Sequence, residues 1–167
     1  DKGARILALG YPGGIEIEKA AEGGDSAAVS FPRAFSKTDL IEFSFSGLKT
    51  SLLRYVENLG GKVPEDQMPD VAASYQRAIV DSLLSKLQLA IDKTGTGTAL
   101  IGGGVAANME LREKAGKLFP NCNILYPDID LCTDNAAMIA FLGEIYLRDG
   151  KSSEHSLCVV PNLKLSD

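Results

Sequence analysis

The chain has 167 residues, of which 45% are hydrophobic and 23% are charged. This composition excludes a disordered, a collagen-like or a coiled-coil chain, and no apolar run approaches the ~20 residues of a membrane helix. With 17 basic and 22 acidic residues the formal net charge is −5, so the chain lacks the basic excess typical of a protein that binds nucleic acid by itself.

The first half of the chain is predicted to be mainly helical. The expected elements are helices over 1–9 and 15–21, strands over 27–31 and 42–45, and a helix over 48–59 with Ser46 as its N-cap. The spacing of apolar residues predicts that the last of these helices buries Leu48, Leu52, Val56 and Leu59. The first helix has no cap or turn before it, and the chain does not begin with Met. We therefore expect a fragment of a longer protein.

The second half alternates helices with strands. A long helix over 70–93 is followed by a strand over 98–101, a helix over 106–118, a strand over 123–126 and a helix over 135–147. The apolar stripe predicted for the long helix consists of Val71, Ala72, Tyr75, Ile79, Leu83, Leu87, Ala90 and Ile91. This alternation predicts an α/β fold with a parallel component. The tail from Gly150 is expected to be irregular.

A glycine turn after the strand at 98–101 is the strongest local signal. Gly102, Gly103 and Gly104 let a ligand approach the backbone closely, and the free N–H groups of the next helix favour an anion. Gly102, Gly104 and Ala107 also fit the dinucleotide fingerprint G-x-G-x-x-A, and Asp128 follows near the position of a ribose-binding acid. A tight connection without a ligand explains these residues equally well.

A second segment, CTDNAAMIA at 132–140, places a carboxylate at a helix start. Thr133 or Asp134 as the helix cap is the default interpretation, and Asp134 as a metal ligand is the functional one. Cys132 has no histidine near it in sequence, which disfavours a nucleophilic role. The single histidine, His155, is interpreted as a surface residue.

Two further segments lie in the first half. YPGG at 11–14, followed by Glu18, is either a loop with an exposed acid or a backbone that contacts a sugar or base while Glu18 binds hydroxyls. FSFSGLKT at 43–50 lacks the pattern of a phosphate-binding loop. We expect its two phenylalanines to lie in the core.

Together these four segments, in this order, resemble the TsaD/Gcp family of tRNA N6-adenosine threonylcarbamoyltransferases, once called O-sialoglycoprotein endopeptidases, of bacterial or organellar type. The resemblance implies an actin-like, Hsp70-like ATPase (ASKHA) fold, of which residues 1–167 would be part of the C-terminal lobe. It implies transfer of threonylcarbamoyl from threonylcarbamoyl-AMP to N6 of the adenosine next to the anticodon in tRNAs that read ANN codons, which is t6A modification. The implied partners are tRNA, a TsaB-type paralogue and a TsaE-type ATPase, in the cytoplasm or an organelle and without a membrane.

The resemblance also implies roles for single residues. The adenylate would be bound by Asp1, Gly14, Glu18, Gly103, Gly104 and Asn108. Asp134 would be one ligand of a divalent iron or zinc ion. The HxxxH motif and the SGGHT-type loop of the family are missing from this sequence, so the metal site would be incomplete and the chain by itself inactive.

Two alternatives remain. An NAD-dependent oxidoreductase domain would use the Gly102-x-Gly104-x-x-Ala107 turn, but this fingerprint comes late in the chain, after a long helix. A non-catalytic interaction subunit is disfavoured because the motifs around Asn108 and Asp134 are intact.

Overall fold

The computed structural model describes residues 1–35 and 38–161 and divides the chain into two compact units, Asp1–Cys132 and a second that begins at Thr133. The first unit contains helices α1 (Lys2–Ile6), α2 (Gly13–Ala20), α3 (Ser46–Asn58), α4 (Met68–Thr94) and α5 (Met109–Leu118), and strands β1 (Thr98–Leu100) and β2 (Asn123–Leu125). The second contains α6 (Ala136–Arg148). The irregular tail is confirmed for residues 150–161; residues 162–167 lie outside the described residues.

The first two helices differ from prediction at their ends. α1 stops at Ile6 because Ala8 adopts a left-handed backbone with φ 57, which turns the chain out of the helix. α2 starts at Gly13 rather than Ile15, since Pro12 stands at its N-cap and the Asp1 carboxylate accepts the Gly13 N–H at 2.9 Å. The YPGG turn is therefore also the first turn of a helix.

Helix α4 joins two hydrophobic cores within the first unit. Its first half packs with α1, α2 and α3, and its second half packs with α5 and β2. On α3 the buried positions are Leu48, Leu52 and Val56, one helical turn apart as predicted. α4 starts at Met68, and Pro69 is accommodated in its first turn. It ends at Gly95, whose φ of 65 closes the helix in the left-handed conformation.

The sheet of the first unit has two parallel strands. Thr98 pairs with Asn123 and Leu100 with Leu125, and α5 forms the crossover between the strands. This confirms the predicted α/β arrangement. Because parallel strands end at the same sheet edge, the glycine turn after β1 and residues 126–127 after β2 leave the sheet side by side.

The strands predicted over 27–31 and 42–45 are wrong. The Val29 N–H donates to the Ser74 hydroxyl at 3.0 Å, and the buried Phe31 ring meets Tyr55 and Tyr75 edge-on. β-branched and aromatic residues of this segment are thus satisfied by packing on α3 and α4 instead of by strand pairing. Placing Phe43 in the core is also wrong, because it is 54% exposed and its ring stacks on Phe45.

Lysine side chains of α4 bind the segment that begins at Phe31, which we call the tethered segment (residues 31–35 and 38–39). The buried Lys86 ammonium donates to the carbonyls of Phe35 at 2.6 Å and Thr38 at 3.0 Å. Lys93 donates to the carbonyl of Asp39. These bonds satisfy a buried charge with peptide dipoles rather than with a carboxylate.

Asp81 anchors the same region through ion pairs. Its carboxylate lies 2.6 Å from Arg33 Nη2 and 3.2 Å from Lys114 Nζ, with Arg77 further away at 3.6 Å. Burial alone would raise the pKa of the Asp81 carboxyl, but the hydrogen bonds and charges of Arg33 and Lys114 outweigh burial and lower the pKa below its ordinary value of 3.8.

This lowered pKa predicts a loss of stability in acid. A carboxyl whose pKa is lower in the folded state stabilises the fold above its unfolded pKa and stops doing so as the pH falls through the folded pKa. We therefore expect the free energy of unfolding, measured by urea denaturation, to fall less steeply below about pH 5 in Asp81→Asn than in the parent chain. Asp66→Asn, at an exposed position, is the matched control and is expected to keep the parent slope; equal slopes for parent and Asp81→Asn would contradict the assignment.

No helix among residues 1–35 and 38–161 is long and apolar enough to cross a bilayer.

Candidate functional site

Asp1 and the YPGG turn form the first part of the site. Asp1 Oδ1 accepts the N–H of Gly13 at 2.9 Å, and a side chain at Gly13 would come within 2.6 Å of Asp1 Cα. Gly14, by contrast, is exposed, and no heavy atom lies within 4 Å of where its Cβ would be. The backbone of Gly14 is therefore open to a ligand on a turn that Asp1 holds in place.

Glu18 lies one helical turn after Gly14, on the same face of α2. Its Oε1 accepts the N–H of Met109, the first residue of α5, at 2.8 Å. A carboxylate is favoured at a helix N-terminus because the unpaired N–H groups there carry partial positive charge. This hydrogen bond joins α2 to α5 through two residues that are 91 positions apart in sequence.

Asn108 caps α5. Its Oδ1 accepts the N–H of Leu111 at 2.9 Å, and its Nδ2 donates to Gln76 Oε1 at 3.0 Å. Gln76 in turn donates to Glu110 Oε2 at 2.9 Å. Sequence reasoning missed Gln76, which fixes the orientation of the Asn108 amide; the cap itself could have been found from an asparagine directly before Met-Glu-Leu.

The helix predicted over 106–118 is present and ends at Leu118, but it begins three residues later than predicted, at Met109, because Gly104–Ala107 form a 3₁₀ turn. Gly103 has φ 85 and ψ 173, a conformation that side chains with a Cβ rarely adopt. Space is open beside both Gly102 and Gly103. This geometry also weakens the dinucleotide hypothesis, which needs the helix N-terminus directly at the glycine turn.

The fold thus joins most of the predicted binding residues in one place. Glu18 on α2 bonds to the start of α5, where Asn108 follows directly on the turn that contains Gly103 and Gly104. Gly14 lies one turn before Glu18 on α2, and Asp1 supports the start of that helix. We call these six residues the adenylate cluster, after the ligand that the family resemblance implies for them. They offer carboxylate acceptors for hydroxyl groups and open glycine backbone for a planar or anionic group.

Asp134 lies in the second unit and is exposed. The predicted cap by Thr133 or Asp134 is wrong: Asn135, in an extended conformation before α6, accepts the N–H of Met138 at 3.0 Å. The Asp134 carboxylate is therefore not occupied by helix capping. No group of three or more His, Cys, Asp or Glu side chains within the described ranges could hold a metal ion, so the donors present do not complete a metal site.

Cys132 has the surroundings of a structural residue, and His155 has those of a surface residue. Cys132 is buried, and its thiol donates to the Asp128 carbonyl at 3.4 Å. A buried thiol that hydrogen-bonds to a carbonyl is poorly suited to nucleophilic attack. His155 is exposed in the irregular tail.

Known proteins match this chain over almost its whole length. A family model described as TsaD, tRNA N6-adenosine threonylcarbamoyltransferase, matches residues 1–141. The proteins of that name from Thermosipho africanus and Clostridioides difficile are 47% and 44% identical to the chain, each over 99% of the chain and 50% of the relative. The Magnetococcus marinus protein is 44% identical over 100% of the chain and 48% of its own length. The chain therefore spans about half the length of the curated relatives it matches.

Proposed function

Because this chain belongs to the TsaD family of tRNA-modifying transferases, whose fold is of the α/β ASKHA type, we propose that it supplies the adenylate-binding part of a tRNA N6-adenosine threonylcarbamoyltransferase. In the proposed reaction, N6 of the adenosine next to the anticodon of an ANN-reading tRNA attacks the carbamoyl carbon of threonylcarbamoyl-AMP. A carbon–nitrogen bond forms, the bond from carbon to the phosphate oxygen breaks, and AMP leaves with that electron pair while N6 loses a proton. Residues 1–167 are proposed to belong to the C-terminal lobe.

One observation carries this proposal: the hydrogen bond from Met109 N–H to Glu18 at 2.8 Å. It brings the open face of Gly14 and Glu18 to the helix start beside the glycine turn, although the two parts are far apart in sequence. A carboxylate with a second oxygen left to accept hydroxyl protons suits a ribose, and the glycine backbone suits the base or phosphate.

Each residue of the adenylate cluster has a proposed task. Glu18 accepts from the ribose hydroxyls, and Asp1 holds the YPGG turn so that Gly14 can contact the nucleotide. Asn108 orients the nucleotide with the amide hydrogen that Gln76 leaves free. Holding the AMP group in one pose aligns the carbamoyl carbon for attack, which lowers the entropic part of the barrier.

Asp134 is the one residue of this chain that we propose as a metal ligand. One exposed carboxylate cannot hold an iron or zinc ion by itself, and the described residues do not supply the missing ligands. We propose that Asp134 contributes one ligand while histidines outside this sequence contribute others. In the protein as its gene encodes it, Asp134→Asn should lower the bound metal per chain measured by mass spectrometry. An unchanged metal content, as expected for the control Asp130→Asn, would contradict this role.

Partners and location are inferred from the same family membership. The net charge of −5 is unfavourable for binding the tRNA phosphates through this chain alone, so we propose that tRNA is attracted mainly by other parts of the assembly. A TsaB-type paralogue and a TsaE-type ATPase are the proposed protein partners. The proposed compartment is the cytoplasm, or an organelle if the protein is of organellar type.

A titration and a transfer assay test the function. The protein as its gene encodes it is titrated with AMP and with NADH, and transfer of labelled threonylcarbamoyl to an ANN-reading tRNA is followed. We expect AMP to bind and the tRNA to be labelled. NADH binding without AMP binding would instead support the dinucleotide alternative.

A further inference from the structure

The side chain of Arg112 on α5 connects the glycine turn to the end of β2. Its Nε donates to the Ala106 carbonyl, within the 3₁₀ turn, at 2.7 Å, and its Nη2 donates to the Pro127 carbonyl at 2.9 Å. These two segments follow the two strands of the sheet. The planar guanidinium spans both with donors in a fixed arrangement.

Two further groups hold the guanidinium itself. Its Cζ lies 4.7 Å from the centroid of the Tyr126 ring, a cation–π distance, and Nη2 lies 3.5 Å from the buried Cys132 sulfur. Tyr126 also packs against the core shared by α4 and α5, and its hydroxyl is buried without a hydrogen-bond partner among the described residues. Carbonyls, a ring and a thiol therefore determine one orientation of Arg112.

The turn needs such support. Gly103 and Gly104 are the residues most able to change conformation, and fixing glycine costs more backbone entropy than fixing any other residue. A ligand that had to order the turn would lose affinity by that amount, whereas a turn already fixed binds without this loss. Arg112 can supply this order because its bond to Ala106 lies only two residues before Asn108.

From this geometry we propose that Arg112 is a positioning residue that fixes the glycine turn and Asn108 for the adenylate. The proposal rests on the function proposed above. It concerns the shape of the guanidinium rather than its charge, because a lysine ammonium at this position keeps the charge but cannot reach both carbonyls in one plane.

The test compares Arg112→Lys and Arg112→Met with Lys117→Met, in the protein as its gene encodes it. Lys117 lies on the same helix and is exposed, so its variant removes a positive charge without touching the turn. The measurements are KM for threonylcarbamoyl-AMP, KM for tRNA, and the Kd of AMP. We expect KM for the adenylate and the Kd of AMP to rise about tenfold in both Arg112 variants, by the misplacement of binding groups, while KM for tRNA and the values of Lys117→Met stay at the parent level.

Two outcomes overturn the proposal for Arg112. A purely structural role would lower kcat through a smaller folded fraction and leave both KM values unchanged. Parent-like adenylate binding in Arg112→Lys would show that charge alone suffices. If Arg112→Met does not fold, Arg112→Lys decides by the same criterion. A parent protein that neither binds AMP nor modifies tRNA contradicts the proposed function. An active parent protein whose Arg112 variants are unaffected contradicts only the proposal for Arg112.

Discussion

Glu18→Ala is expected to weaken AMP binding by about 100-fold, which corresponds to about 2.7 kcal/mol. A hydrogen bond to a charged group contributes about 1.5–3 kcal/mol, and in our proposal Glu18 accepts from ribose hydroxyls with the oxygen that Met109 leaves free. The substitution also removes the acceptor of the Met109 N–H at the start of α5. Isothermal titration calorimetry of the protein as its gene encodes it measures the affinity directly.

Glu22→Ala is the matched control for this prediction. Glu22 follows α2 directly, is exposed and carries the same charge, so its loss changes the net charge equally without reaching α5. We expect its Kd for AMP to stay within about twofold of the parent value. If Glu18→Ala and Glu22→Ala behave alike, Glu18 has no contact with the nucleotide and the adenylate cluster loses its central member.

Gly24→Ala is expected to lower the free energy of unfolding by about 3 kcal/mol, at the upper end of the usual cost of overpacking. A Cβ at Gly24 would lie 2.2 Å from the Pro69 carbonyl oxygen and 2.3 Å from its carbon. These are backbone atoms in the first turn of α4, so they cannot move aside as a flexible side chain can. The turn at Gly24 also cannot easily move away from α4, because the Asp25 N–H donates to Asp70 Oδ1 at 2.7 Å.

Gly116→Ala provides the opposite control in the same urea denaturation experiment. Gly116 lies in α5 with open space beside it, so alanine meets nothing there. We expect the free energy of unfolding of Gly116→Ala to be higher than that of the parent by about 0.5–1 kcal/mol, since alanine loses less backbone entropy than glycine in a helix. A Gly24→Ala variant as stable as the parent would mean that the turn at residues 22–25 does not dock against α4 as closely as described.

Local pattern was sufficient where one helix face meets one core. On α3 the predicted buried face is confirmed at Leu48, Leu52 and Val56, whereas Leu59, at the C-cap, is 36% exposed. The predicted stripe on α4 included Val71 and Tyr75, which are buried, but it missed Val80 and Leu84. These two belong to the second core, and a helix that changes its packing partner midway does not keep one apolar stripe.

Local pattern failed where distant residues decide the structure. Val29 and Phe31 have strand propensity, yet the Ser74 hydroxyl and the α4 surface determine their conformation. The contact between Glu18 and Met109 likewise cannot be predicted from spacing, because nothing near either residue in sequence encodes it. Family motifs predict the members of the adenylate cluster, while the contacts between these residues are seen only in the fold.

The tethered segment has a consequence for sequence variation. Lys86 and Lys93 bind it through the carbonyl oxygens of Phe35, Thr38 and Asp39, and every amino acid offers a carbonyl at these positions. Selection can therefore act more strongly on the two lysines than on the side chains at 35, 38 and 39. Homologues aligned over this region should keep a long cation at both α4 positions opposite a variable loop.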